Sequence, residues 1–66
     1  MNLFLNGDPR EVESGLSLEQ LLEQAGYAQR RIAVEVNREI VPRSRYAACV
    51  LGDGDRVEIV QAIGGG

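Results

Sequence analysis

Histidine, lysine and tryptophan are absent from this 66-residue sequence, and cysteine occurs once, at position 49. A single thiol forms no internal disulfide, and without histidine the usual zinc-binding sets are missing. General acid–base chemistry at neutral pH would fall to carboxylates alone. The hydroxyls of Ser14, Ser17 and Ser44 stand in no recognisable nucleophile setting. Catalysis by this chain alone is therefore not expected. All seven basic residues are arginine, net charge is -3, and there are three aromatics. That balance argues against nucleic acid, because neutralising phosphates needs clustered positive charge. Arg43, Arg45 and Arg56 are the candidates for a local basic patch, and they read better as a solvated face. No apolar run approaches the ~20 residues of a membrane span. Met1–Leu5 is too short for a targeting signal and polar residues follow it directly, so a cytosolic monomer is the expectation. A chain this short buries only about 60% of its unfolded surface. With no disulfide or metal, it must rest on its core.

What is present alternates clearly. Asn2–Asn6 puts Leu3 and Leu5 on one side and Asn2, Phe4 and Asn6 on the other, a strand period. Asn6-Gly7-Asp8-Pro9 is dense in turn formers, Asn-Gly above all. Arg10–Glu13 then reads as a short charged return strand at an edge, a place that tolerates Pro9. Ser17 with Gln20 forms a capping-box pattern. Leu18, Leu21, Leu22 and Ala25 make one apolar helical face, and Gly26 closes the helix. Such a helix of about eight residues is too short to persist undocked. Ile32–Asn37 alternates again, with Ile32, Val34 and Val36 inward. Asn37-Arg38-Glu39 turns into the short strand Ile40-Val41, which Pro42 stops, and a helical turn fits within Arg43–Ala48. Cys49 reads as a small core filler in the apolar run Cys49-Val50-Leu51. Gly52-Asp53-Gly54-Asp55 is a tight turn, too short and too poor in oxygen ligands for a calcium loop. Arg56–Gln61 is the last strand, with Val57 and Ile59 inward and Arg56, Glu58 and Val60 outward. Segregated helix and strands place the chain in the α+β class, one sheet covered by one helix.

The last strand runs directly into Ala62-Ile63-Gly64-Gly65-Gly66. The chain thus divides into a compact domain, residues 1–61, and a flexible glycine tail, residues 62–66. The five interior glycines all fall at turns or caps. Three more at the end therefore stand out, although a frayed end or an added linker would look the same. Three residues without Cβ make a thin arm that can enter a narrow channel. Residues 62–66 reach at most about 17 Å when extended.

The order strand, strand, helix, strand, strand, turn, strand with a glycine end resembles the ubiquitin-like β-grasp sulfur carriers, and within them the ThiS family of thiamin thiazole biosynthesis. Three stretches carry the resemblance: Val36–Arg43 (VNREIVPR), Asp53–Ile59 (DGDRVEI) and Ala62–Gly66 (AIGGG). The opening Leu-Asn-Gly and the Leu-Leu helix fit as well. The resemblance covers essentially the whole chain; a third terminal glycine departs slightly from the commoner Gly-Gly end. It implies a mixed sheet of four to five strands with the first and last strands parallel at its centre. It also implies that Gly66 is the true terminus and that its carboxylate is adenylated by a ubiquitin-activating-like enzyme using ATP and magnesium. A sulfur donor such as a cysteine desulfurase then displaces AMP to leave a thiocarboxylate, which thiazole synthase consumes. The carrier itself binds no cofactor or metal. Ile63, Gly64, Gly65 and Gly66 would enter the partner's active site. Phe4, Val60 and Ala62 are the expected docking residues, because Phe4 and Val60 both face outward and would form one apolar patch if the first and last strands are neighbours. The absence of lysine would spare an acyl-adenylate from side-chain amines, but arginine-rich coding bias accounts for it equally. Other readings are a sulfur carrier for molybdopterin synthesis, a ubiquitin-like modifier, and a non-covalent β-grasp binding module whose tail is only a linker.

Overall fold

The computed structural model describes residues 1–61. Five strands form one sheet: β1 (Asn2–Leu5), β2 (Asp8–Glu11), β3 (Ile32–Val36), β4 (Glu39–Val41) and β5 (Arg56–Gln61). One helix, α1 (Leu18–Gln24), follows β2, and a 3-10 turn spans Arg43–Arg45. The strand order is β2-β1-β5-β3-β4, so the last strand in sequence is the middle one in space. It runs parallel to β1 and antiparallel to β3. No helix of the described residues is long and apolar enough to cross a membrane.

The β1–β2 hairpin corrects the sequence reading. The turn is only Asn6-Gly7, with φ of 51° and 86°, the two positive values that a type I′ hairpin needs. The strand therefore starts at Asp8, two residues earlier than expected, and Pro9 lies inside it opposite Phe4. An edge strand accommodates a proline that cannot donate. Val12, next after the strand, is buried, and its N–H donates to the Met1 carbonyl at 2.8 Å.

The core lies on one face of the sheet. Leu3, Leu5, Val34, Val57 and Ile59 from the strands meet Leu18, Leu21 and Leu22 of α1. Val12, Leu16, Tyr46 and Leu51 complete it from segments between the strands and α1. The helix N-terminus is fully satisfied. Leu18 N–H donates to the Cys49 carbonyl, Glu19 N–H to the Tyr46 carbonyl and Leu21 N–H to the Ser17 carbonyl. Gln20 N–H donates to Ser17 Oγ at 3.1 Å, and Ser17 N–H returns a bond to Gln20 Oε1 at 2.9 Å. Four otherwise orphaned donors thus have partners, and two of those bonds tie the helix to the segment around the 3-10 turn. Gly26, at φ 85°, ends the helix.

Cys49 is only half-buried, packed against the edge of the core and not inside it. Its neighbour Val50 is exposed. The expected apolar run therefore contributes just Leu51 to the buried set.

Candidate functional site

Everything in the fold that bears on the chain's last residues converges on β5. Its start is clamped by side chains. Asn37 Oδ1 accepts from Arg56 N–H at 3.0 Å, and Asn37 Nδ2 donates to Asp55 Oδ1 at 3.0 Å. Asp55 Oδ2 accepts from Gly52 N–H at 2.7 Å, closing the preceding turn. Asp53 Oδ1 accepts from Asn2 N–H at 2.8 Å, which ties the same turn to β1. Farther along, Asn6 Oδ1 accepts from Ile59 N–H at 2.7 Å. Strand β1 ends at Leu5, so this amide lengthens the ladder on that side of β5 by one bond. On the other side the β3 pairing continues to Gln61, opposite Ile32. The last described residue is therefore paired on the β3 side, at the end of the central strand. Sequence reasoning treated Asn6, Asn37, Asp53 and Asp55 as turn formers and missed their second task. The signal was available: all four carry short amide or carboxylate side chains beside turns that abut strand ends.

The outward face of the sheet carries Phe4, Arg56, Glu58 and Val60, as alternation requires. It does not unite Phe4 with Val60. The parallel register sets Phe4 opposite Arg56, and Val60 lies four residues, about 13 Å, farther along the strand. The Arg56 guanidinium carbon stands 4.8 Å from the Phe4 ring centroid, so Phe4 is half-covered by a cation. The expected single apolar patch is thus corrected to two separate places. Val60, 64% exposed, instead pairs with Ala33 on β3. Ile40, 74% exposed, occupies the same outward face on β4. Ala62, Ile63, Gly64, Gly65 and Gly66, all expected as site residues, lie outside the described residues, which end at Gln61.

Two of the three arginines expected as a possible patch are engaged separately. Arg56 covers Phe4, while Arg43 Nη2 donates to the Arg30 carbonyl at 2.8 Å. The Cys49 thiol is pushed above the ordinary thiol range by burial and, secondarily, by the Asp55 carboxylate. That keeps it protonated at neutral pH and makes it a poor nucleophile.

A mixed five-stranded sheet, a parallel pair of first and last strands and one helix over one face define a ubiquitin-like β-grasp protein. The ThiS family model matches residues 3–66. The chain belongs to the ThiS family. It is similar to the crystal structure of a thiamine biosynthesis protein (ThiS) from Geobacter metallireducens, with a TM-score of 0.87, 38% identity and complete coverage of both chains. It is 33% identical to the sulfur carrier protein ThiS of Escherichia coli over 66 residues, again covering all of both. A thiazole synthase of Paramagnetospirillum magneticum is 47% identical over the same 66 residues, which are 100% of this chain but only 20% of that protein. The chain thus spans about a fifth of the thiazole synthases that it matches.

Proposed function

We propose that the chain is a sulfur carrier of thiamin biosynthesis that takes part in chemistry through the carboxylate of Gly66. A carboxylate is a poor electrophile, because its oxygen leaves badly. Attack of that oxygen on ATP makes an acyl-adenylate and releases pyrophosphate. Sulfide-level sulfur then displaces AMP, so that one carboxylate oxygen is replaced by sulfur; with a persulfide donor the acyl disulfide first formed is cleaved by a second thiol, which leaves as a disulfide with the donor. The electrostatic demands of phosphoryl transfer fall on the adenylating partner and its magnesium. The carrier presents its end and performs no catalysis.

One observation carries this reading: the ThiS family model matches the chain from residue 3 to residue 66, and the central strand β5 ends at Gln61, five residues before Gly66. The side-chain clamps on β5 give that strand a fixed exit, which suits delivery of a group into another protein. Thiazole synthase is the consumer we assign, supported by the recurrence of this unit within longer relatives of that name.

The test is the intact mass of the protein after incubation with ATP, magnesium, a sulfur source and the adenylating enzyme of the same cell. The expected result is replacement of one oxygen by sulfur, mapped to Gly66, and its loss when thiazole synthase and its other substrates are added. No mass change with a demonstrably active enzyme would overturn the proposal.

A further inference from the structure

Two asparagines hold β5 in the same way, from opposite sides and at different points along it. Asn6 follows the last residue of β1, and Asn37 follows the last residue of β3. Each opens a turn at φ 51°. Each donates its backbone N–H to a β5 carbonyl, Asn37 to Arg56 at 2.8 Å and Asn6 to Val57 at 2.9 Å. Each accepts a β5 amide on its side-chain oxygen, Arg56 N–H for Asn37 and Ile59 N–H for Asn6. In a parallel ladder a residue donates to one residue of its neighbour and accepts from the residue two farther on. Asn6 does both, to Val57 and from Ile59, but with its side-chain oxygen where a continuing strand would offer its backbone carbonyl. That prolongs β1 by one rung into the turn. The turn itself does not need this bond, since glycine supplies a positive φ at no steric cost. The β1 pairing stops at Leu5 and Val57, and Val60 and Gln61 pair with β3 only. Among the described residues Asn6 is therefore the last hold on β5 from the β1 side, and Ile59 lies seven residues before Gly66.

We infer that Asn6 is a positioning residue for the reaction of Gly66: its side chain keeps the end of β5 held from both sides and so fixes the point and direction from which the last residues reach the adenylating site. This rests on the carrier reading above. Without the bond, β5 is held from two sides only as far as Val57, two residues or about 7 Å farther from the terminus. The end of the strand is then free to swing about its β3 edge. The folded domain would bind the enzyme as before, but its terminus would arrive in the reacting geometry less often. Rates are sensitive to such displacement, and a misplacement of about 1 Å can cost on the order of 100-fold. The bond is partly buried, so water competes for it poorly and the hold persists in the free carrier.

The experiment uses the full chain with the adenylating enzyme of the same cell, ATP and magnesium, below the unfolding midpoint of every variant. Pyrophosphate release gives kcat and KM for the carrier, and intact mass with a sulfur source gives charging of the wild type. Asn6→Gly keeps the turn and removes the acceptor, while Asn6→Asp keeps an acceptor. Asn6→Gly should lower kcat about fivefold with KM unchanged, and should speed amide hydrogen exchange at Ile59 relative to Val57. Asn6→Asp should bring kcat back to within about twofold of wild type. Ser17→Ala loses a side-chain bond at the helix cap instead and should leave kcat at the wild-type value. Wild-type kcat in Asn6→Gly would overturn the inference, whatever the exchange at Ile59. So would an equal fall in Ser17→Ala, a failure of Asn6→Asp to rescue, or a change confined to KM. If the wild type is charged and any of these is found, this inference falls and the carrier reading stands. If an enzyme shown to be active does not charge the wild type, both fall.

Discussion

Asn37 shows how much of this fold can depend on one side chain. It takes φ of 51° at the start of the β3–β4 turn, and Arg38 follows at 69°, again the type I′ pattern. Asparagine tolerates that left-handed region better than any residue except glycine. The same side chain bonds Arg56 N–H and Asp55. Two substitutions separate the two contributions. Asn37→Gly removes the side-chain bonds without strain and should cost about 1–2 kcal/mol. Asn37→Ala adds the left-handed penalty, for a total of about 2–3 kcal/mol. Urea unfolding of both variants checks this; equal losses would remove strain from the explanation. The sequence announced Asn37 as a turn residue. It did not announce the bond to Arg56, because a contact between residues 19 positions apart has no local pattern.

Regular elements were legible in proportion to their periodicity. The helix was readable from Ser17, Gln20 and three leucines, and the capping box forms as expected. Strands β1, β3 and β5 followed their alternation, with Leu3, Val34 and Val57 fully buried. The β2 start was misplaced because Asp8 and Pro9 are turn formers by composition, while the hairpin's twist needs only Asn6-Gly7. Leu16 and Tyr46 went unread as core residues for a different reason. They lie in segments without a period, and what buries them is long-range: Leu16 accepts from Leu51 N–H at 2.9 Å, and Tyr46 from Glu19 N–H at 3.1 Å. In the candidate site, the outward orientation of Phe4 and Val60 was readable. Their separation was not, since a parallel pairing between the two ends of the chain sets its own register. At this scale the helix cap offers a clean test. Ser17→Ala removes the acceptor for Gln20 N–H and should lower stability by about 1 kcal/mol. Thiocarboxylate formation on the folded variant should match wild type, because the cap belongs to α1, on the core face of the sheet, and takes no part in the proposed chemistry of Gly66. Loss of charging without loss of folding would place the helix in the interface instead.

At the scale of the whole molecule, stability can be tested apart from the proposed chemistry. Among the described residues, every buried core side chain lies within Leu3–Ile59. The strand that carries the tail is clamped before its end by Asn6, Asn37 and Asp55. If the proposed function is right, folding should be indifferent to the last residues and charging should depend on them entirely. Deleting Gly65 and Gly66 is then expected to leave the thermal unfolding midpoint unchanged. The same deletion should abolish the mass gain in the charging reaction, even though Ile63-Gly64 still ends in a carboxylate, because the shortened arm would stop roughly 7 Å short of the reacting position. The two readouts divide the possibilities. A lowered midpoint would mean that the tail helps hold the domain and is not simply an arm. A variant that is still charged would mean that the adenylating site does not measure length, and reach would no longer explain why the domain ends as it does. A variant that folds and binds the enzyme but gains no sulfur would assign recognition to the residues before Gly65 and reaction to the final two glycines.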